Sequence, residues 1–330
     1  MHLFIDTNVL LSFYHFAGDD LEELKKLIVL LGQKKLRLYL PNQIVSEFRR
    51  NREGKIADAL KKLKDQRLNL QFPQICKDYP EYGKLRELQK AYETHHTELL
   101  NKLGDDIASF ALKADAIISQ LFNLAEKVVC ADETVRKARD RFDLGNPPGK
   151  DGSLGDAVNW EALLGAVPEK TDLHFITDDK DYCSALDEET FSGFLSDEWR
   201  DRKKSNLVFY KRISAFFKEH FPEIKLAAEL EKDLLIEDFA NSSSFARTHS
   251  VVAKLSKYAD FTPAQLNAIV SSAILNSQIG LITDDADVHD FLTGVIKGRE
   301  KLIEKQSLEA LQFMMSPPKK QEVEDEDIPF

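Results

Sequence analysis

The sequence predicts an α/β fold, in which a parallel β-sheet flanked by helices is followed by a mainly helical C-terminal region. Up to about residue 220, short strand-like apolar runs alternate with helix-like segments, the order expected for a parallel sheet with crossover helices. From about 222 to 315 the apolar periodicity is helical, and Thr262-Pro263 marks one helix start. With 330 residues, 43% of them hydrophobic, the chain is long enough for about two domains.

Local patterns assign the elements of this sheet in chain order. Residues 3–5 form an apolar run typical of a buried strand, and residues 36–40 alternate as a second strand. Pro41 then stands where a first-turn proline belongs, so a helix is expected at 42–52. The remaining expectations are strands at 173–176 and 206–210, helices at 8–17, 20–32, 156–164 and 211–220, and an almost wholly helical stretch at about 54–142.

Composition and local sequence indicate a cytoplasmic protein. No apolar run approaches the roughly 20 residues of a membrane span, and the N-terminus lacks the basic region and apolar core of a secretory signal. The three cysteines, Cys76, Cys130 and Cys183, have no paired spacing. The sequence therefore predicts neither a zinc site nor a disulfide framework.

The charge is unevenly distributed along the chain. A net charge of −11 argues against a uniformly basic surface. Two basic runs nevertheless occur, one within residues 49–72 and one at 200–204. Each run is either a solvated helix face or part of a groove that faces phosphates, and the sequence leaves both interpretations open.

Four acidic residues occupy positions that can share one edge of the predicted sheet. In α/β proteins, ligands gather at the carboxyl ends of strands. Carboxylates brought together there repel one another unless a cation lies between them, and hard oxygen ligands suit Mg²⁺ or Mn²⁺. Such ions can activate water and stabilise the leaving oxygen of a phosphodiester. The four are Asp6 after the first strand, Glu47 in the helix after the second, Asp156 at a helix start and Asp179 after the strand at 173–176.

These residues occur in motifs that resemble those of the PIN-domain nucleases, over roughly residues 1–220. The motifs are Ile5-Asp6-Thr7-Asn8 and Thr177-Asp178-Asp179-Lys180-Asp181-Tyr182, the latter similar to the family's T-x-D-x-D-F strand end. The resemblance implies that Asp6, Glu47, Asp156 and Asp179 bind Mg²⁺ or Mn²⁺ as a tetrad, with Asp181 as an accessory acid. It also implies that Thr7, Asn8 and Thr177 hold the carboxylates in place.

One feature departs from the smallest members of that family. Glu47 and Asp156 are 109 positions apart, so the helical stretch at about 54–142 is a long insertion. The segment 145–160 is similar to that of a larger bacterial subgroup of PIN domains.

The resemblance implies a metal-dependent endonuclease that hydrolyses single-stranded nucleic acid and leaves 5′-phosphate and 3′-hydroxyl ends. RNA is the family's more frequent substrate, so we expect RNA ahead of DNA, with a toxin or phage-defence role. Arg49 and Arg50 of the first basic run, and Lys150 near Asp156, are the candidate substrate contacts. The rival interpretation is a catalytically inactive adaptor that keeps the PIN fold.

Each acidic residue also has a local explanation that the sequence leaves open. Asp156 could be only the N-cap of its helix, and the acids after the strand at 173–176 could cap a turn. A second string, Ile282-Thr283-Asp284-Asp285-Ala286-Asp287, competes with the first as the partner of Asp6. The first string is preferred because its distance from Asp156 suits one α/β unit, whereas the second lies in a helical region where aspartates cap helices.

The expected organisation is a nuclease-like domain at 1–220, a helical domain at 221–315 and a disordered acidic tail at 316–330. The tail ends in Asp327-Ile328-Pro329-Phe330, which resembles the C-terminal tip of bacterial single-stranded DNA-binding protein. That tip docks on replication and repair proteins, with its Phe ring in an apolar pocket and its acids against a basic rim. The resemblance implies partners of the same kind; a solubilising tail and an autoinhibitory tail are the alternatives.

Overall fold

The structure is a computed structural model, and it describes residues 1–14, 21–66, 68, 71–149, 153–222, 224 and 226–316. The chain divides into two compact units, Met1–Ala227 and Ala228–Phe330. The first unit contains a parallel sheet flanked by helices, and the described part of the second is helical. The predicted fold class is therefore confirmed.

A five-stranded parallel sheet organises the first unit. Its strand order is β3-β2-β1-β4-β5, so β1 is central, with β2 on one side and β4 on the other. The carboxyl ends of β1 and β4 form the switch point where α/β proteins place ligand clefts. The strands are β1 His2–Ile5, β2 Arg37–Pro41, β3 Glu126–Val128, β4 Leu173–Ile176 and β5 Leu207–Tyr210.

Helices cover both faces of this sheet. Phe175 and His174 are neighbours on β4 and point to opposite faces, as side chains alternate along a strand. The Phe175 ring contacts Trp160 on one face, and the His174 ring contacts Phe216 on the other. The described α-helices of this unit are α1 Thr7–Ser12, α2 Leu21–Gly32, α3 Asn42–Asp65, α4 Pro80–Ala108, α5 Lys113–Leu124, α6 Asp132–Asp143, α7 Leu154–Ala166, α8 Gly193–Lys203 and α9 Ile213–His220.

Strand β3 corrects the expectation that residues 54–142 are almost wholly helical. It lies between α5 and α6 and pairs with β2 at the edge of the sheet. Of its three side chains only Val128 is buried, while Glu126 and Lys127 are exposed. The segment therefore has no apolar run or clear alternation of the kind that predicts a strand.

Buried aromatic side chains hold α7 against the sheet. The rings of Phe4 and Phe175 lie with their centroids 4.6 Å apart, and Trp160 of α7 packs on Phe175 and on Trp199 of α8. All four side chains are 0% exposed. Burying an aromatic side chain of this kind contributes about 1.5–3 kcal/mol, so these contacts fix the helix that carries Asp156.

A buried ion-pair cluster ties α7 to its neighbours. Arg141 of α6 donates to Glu161 of α7 through Nε at 2.9 Å and Nη2 at 2.8 Å. It also donates to Glu198 of α8 at 2.5 Å and to the carbonyl oxygen of Pro147 at 2.6 Å. Trp160 donates from its indole nitrogen to Glu198 at 2.9 Å. The cluster joins three helices and the loop that precedes α7.

Helices α4 and α5 of the insertion pack differently. In the structure α4 has no buried residue, whereas α5 buries Ala114, Ile118 and Leu121. Among the described residues, the stretch Pro80–Leu124 is long and apolar enough to be a candidate membrane span, which is not expected from the sequence. The stretch consists of two helices, because α4 ends at Ala108 and Phe110, with a φ of 54°, separates it from α5.

The second unit has an apolar core of its own. Phe239, Leu266 and Leu292 are among its fully buried side chains. Thr262 and Gln265 form a capping box at the start of α12, with Pro263 in the first turn, as the sequence predicts. The helices are α10 Ala227–Ala240, α11 Phe245–Leu255, α12 Pro263–Leu275, α13 Ser277–Gly280, α14 Ala286–Ile296 and α15 Lys305–Met314.

The second Ile-Thr-Asp-Asp string lies in this second unit, at the start of α14. Asp285 is the N-cap residue of α14, and Asp287 lies in its first turn. His249 of α11 pairs with both, because its Nδ1 is 2.8 Å from Asp287 Oδ2 and its Nε2 is 3.3 Å from Asp285 Oδ2. Both carboxylates thus have a partner within their own unit.

Candidate functional site

Asp6 is the first residue after β1 and lies buried at the switch point of the sheet. Its carboxylate accepts a hydrogen bond from the backbone N–H of Thr7 at 2.7 Å and another from the hydroxyl of Thr177 at 2.7 Å. Its own backbone N–H donates to the carbonyl of Ile176 at 2.9 Å. The carboxylate is therefore fixed by Thr7 and Thr177, which follow two neighbouring strands, and Asp6 is 2% exposed.

Asp156 lies in the first turn of α7, and the interpretation that it is the N-cap is wrong. The N-cap is Ser153, because the helix begins two residues before Asp156. The Ser153 hydroxyl donates to Asp156 Oδ2 at 2.7 Å. The hydroxyl of Tyr182 donates to the backbone oxygen of Asp156 at 3.3 Å and reaches Oδ1 at 3.5 Å. Two hydroxyls thus orient Asp156.

Asp179 follows β4 and caps a short 3₁₀ helix, as the local interpretation expects. Its Oδ1 accepts from the backbone N–H of Asp181 at 2.9 Å, and its Oδ2 accepts from the side chain of Asn8 at 3.0 Å. Its backbone N–H donates to the Thr177 hydroxyl at 3.0 Å. Since that hydroxyl donates to Asp6, Thr177 connects the two acidic residues directly.

Glu47 lies on α3, partly buried, and faces the start of α7. A Cβ atom added at Gly155 would lie 3.7 Å from Glu47 Oε2 and 2.7 Å from Gln43 Nε2. The missing side chain at Gly155 therefore allows α3 to approach α7 closely. The Thr7 hydroxyl lies near enough to Glu47 to lower its pKa, although it makes no hydrogen bond of ordinary geometry with the described residues.

Burial and mutual repulsion raise the pKa values of these carboxyl groups. The pKa of Asp6 is raised to about 8, chiefly because burial removes the carboxylate from water and further by the charges of Asp156, Asp179 and Glu47. The pKa of Asp156 is raised to about 6, again by burial first and then by Asp179, Glu47 and Asp181. Burial also raises the pKa of Glu47. These carboxylates therefore share one electrostatic environment.

A comparison with known families places the chain in one of them. A family model described as PIN domain matches residues 3–182, slightly more than half of the chain. The chain belongs to the PIN-domain family. PIN domains are generally nucleases and typically use divalent metal ions. Neither a curated protein nor a solved structure gives a significant match.

The residues of this PIN site suit a divalent cation in ligand type. Their carboxylate oxygens are hard donors of the kind that Mg²⁺ and Mn²⁺ prefer. Within the described ranges, no three Asp, Glu, His or Cys side chains are grouped closely enough to hold one ion. In the part of the chain that the structure describes, the buried side-chain polar atoms without a hydrogen-bond partner belong to Thr7, next to Asp6, and to Asn159, three residues after Asp156.

Of the other predicted residues, the structure describes some and not others. Arg49 and Arg50 are exposed on α3, and Arg50 lies near enough to Glu47 to lower its pKa. Lys150 lies outside the described residues, as do Asp327, Ile328, Pro329 and Phe330.

Four residues near the acidic side chains are not predicted by the sequence reasoning. Ser153 stands one position before an apolar helix, where N-cap residues are favoured, so a signal for it exists. Asn159 is a polar residue within a largely apolar helix, which is a second signal. The other two are Gln43, beside Gly155, and Tyr182, beside Asp156.

Proposed function

We propose that this PIN domain is a Mg²⁺- or Mn²⁺-dependent endonuclease that hydrolyses phosphodiester bonds in single-stranded nucleic acid. The supporting observation is the shared environment of Asp6, Glu47, Asp156 and Asp179 beside the carboxyl ends of a parallel sheet. A buried carboxylate without a neutralising partner is costly. Strongly raised pKa values in such a cluster therefore favour a site built for a cationic ligand.

In this proposal Asp6, Glu47, Asp156 and Asp179 hold the ion, with Asp181 at the margin. The ion supplies neutralisation of the phosphodiester charge and activates a water molecule for attack. Thr177 orients Asp6, Ser153 orients Asp156 and Asn8 orients Asp179 through hydrogen bonds of 2.7, 2.7 and 3.0 Å. These contacts fix the orientation of each carboxylate before the substrate arrives.

The substrate is single-stranded RNA ahead of single-stranded DNA, in a cytoplasmic toxin or phage-defence effector. Arg49 and Arg50 are exposed next to Glu47 on α3, where their guanidinium groups can contact phosphates. Lys150, six positions before Asp156 in the sequence, is the third proposed contact. Contacts of this kind position the strand without reading its sequence.

The test is a nuclease assay on labelled single-stranded RNA and DNA with Mn²⁺, with Mg²⁺ and with EDTA. We expect metal-dependent cleavage by the wild type. The substitution Asp6→Asn keeps the size of the side chain but removes the charge, and it should lower the rate at least about 100-fold, more than the loss of an outer-shell partner would.

Asp178→Asn is the matched control, because Asp178 is an exposed acid in the same loop as Asp179. This variant should cleave like the wild type. Absence of cleavage of either substrate by the wild type, under all metal conditions, would favour the inactive adaptor. Equal cleavage by wild type and Asp6→Asn would contradict the assignment of the site.

The four residues Asp327, Ile328, Pro329 and Phe330 are proposed to bind partners of the tip of single-stranded DNA-binding protein, on the strength of their sequence alone. Deleting Ile328, Pro329 and Phe330 should abolish capture of such proteins in a pull-down and leave nuclease activity unchanged. Capture that persists after the deletion would show that the segment is only an acidic tail.

A further inference from the structure

Asn159 is buried on α7 with no partner for its carboxamide. The side chain is 0% exposed, and neither Nδ2 nor Oδ1 has a hydrogen-bond partner. Leaving a buried polar group unpaired costs about 1–3 kcal/mol. A leucine, which has the same branching and the same number of heavy atoms, would leave no unpaired polar group at this position.

Other buried polar side chains in the same unit are paired. Arg141 binds two carboxylates and a carbonyl oxygen, and Lys203 donates to the carbonyl of Val167 at 2.5 Å. Ser205 accepts from the indole nitrogen of Trp199 at 3.1 Å. Among the described residues, Thr7 is the one other case of a buried, unpaired side-chain atom. The fold therefore gives these other buried polar side chains hydrogen-bond partners, and leaves Asn159 and Thr7 without one.

Both exceptions adjoin the acidic site. Thr7 directly follows Asp6, and its hydroxyl lies close to Glu47. Asn159 follows Asp156 by three residues and Gly155 by four, so it lies on the same face of α7, one turn further along. Gly155 is the point at which α7 meets Glu47. The two side chains with unpaired hydrogen-bonding groups thus both adjoin acidic residues: Thr7 is next to Asp6, and Asn159 is one helical turn after Asp156.

We infer that Asn159 is a positioning residue of the acidic site. No water reaches either polar atom of this side chain, so its missing partner has to come from the site itself. When a cation binds, the carboxamide donates to the carboxylates that close around the cation, and so holds Asp156 and Glu47 in place. A carboxamide has two N–H donors for such contacts. The inference rests on the proposed function, because it assigns Asn159 to the same cation.

The test compares Asn159→Ser and Asn159→Ala, two side chains of similar size, in the full-length protein. The readouts are Mn²⁺ affinity by calorimetry and the free energy of unfolding in EDTA. The alanine variant should bind Mn²⁺ 10- to 100-fold more weakly than the wild type, as loss of outer-shell partners does. The serine variant should recover part of that loss, since its hydroxyl still donates and accepts.

Asn159→Leu separates positioning from packing. It should leave the metal-free protein as stable as the wild type or more stable, while still weakening Mn²⁺ binding at least tenfold. Ser205→Ala removes a buried polar group at the opposite, amino end of the strands, ahead of β5, and should leave Mn²⁺ affinity unchanged.

The outcomes distinguish the inference from the function on which it rests. If the wild type binds Mn²⁺ and all three Asn159 variants bind it equally well, Asn159 is only a core residue and the inference fails alone. If the wild type binds no Mn²⁺ and cleaves no nucleic acid, the proposed function fails, and the inference fails with it.

Discussion

Replacing Asp6 by asparagine should stabilise the metal-free protein, and the gain should increase as the pH rises from about 4 to about 8. The pKa of Asp6 is about 8 in the folded state, against an ordinary value of 3.8, because the carboxyl is buried among other acids. Between these two values the folded protein retains a proton that the unfolded chain has lost. Stability must therefore fall with rising pH over this range.

The size of this effect follows from the pKa difference. Each unit corresponds to about 1.4 kcal/mol, so the difference between Asp6→Asn and wild type should reach a few kcal/mol at pH 8 and vanish near pH 4. Asparagine keeps the acceptor for the Thr7 N–H, and its amide can donate to the Thr177 hydroxyl. Both hydrogen bonds of the native side chain then have replacements.

Urea unfolding in EDTA, measured at several pH values, checks this prediction. The two tryptophans of the chain, Trp160 and Trp199, both lie in the first unit, so their fluorescence reports on the part that contains Asp6. Asp178→Asn should show no such pH-dependent gain. A constant difference between Asp6→Asn and wild type across this pH range would contradict the raised pKa.

Replacing Arg141 by methionine should destabilise the first unit by about 3–5 kcal/mol. The reason is the charge left behind: Glu161 is 8% exposed, and without Arg141 its nearest cation is Arg202 at 3.7 Å. Glu198 would retain Arg202 at 3.2 Å and the indole of Trp160. A loss of this size is a large part of the roughly 5–15 kcal/mol that stabilises a typical domain.

Arg139→Met provides the control, because Arg139 is exposed on the same helix. It should change stability by no more than about 0.5 kcal/mol. Combining Arg141→Met with Glu161→Gln should cost less than the two single changes added together, since the buried charge is then removed with its partner. Equal midpoints of unfolding for Arg141→Met and Arg139→Met would show that the cluster contributes little.

The central part of the fold could be predicted because each strand there has a local pattern typical of strands. Residues 3–5 and 173–176 are short, mainly apolar runs and residues 36–40 alternate; they correspond to β1, β4 and β2. Strand β3 could not be found in this way, because two of its three side chains face solvent. Its pairing with β2 depends on the tertiary position of α5 and α6, which no local pattern encodes.

The candidate site, too, could be predicted from the sequence only in part. Asp6 and Asp179 stand at strand ends within a recognisable motif, so sequence order alone suggests that they meet. The sequence alone does not decide whether the helix starts at Asp156 or before it. The N-cap is Ser153, three positions earlier, and local capping preferences do not resolve a difference of this size. The unpaired state of Asn159 depends on every neighbouring element, so only a structure could reveal it.

The chemistry of the cut ends tests the central claim most directly. Wild-type protein and Asp6→Asn would be incubated with labelled single-stranded RNA and Mn²⁺, and the ends of the products identified. Water-mediated hydrolysis at the acidic site predicts 5′-phosphate and 3′-hydroxyl ends from the wild type, with product formation suppressed in the variant. Products with 2′,3′-cyclic phosphate ends, formed equally by both proteins or in EDTA, would contradict a metal-dependent hydrolase built on Asp6.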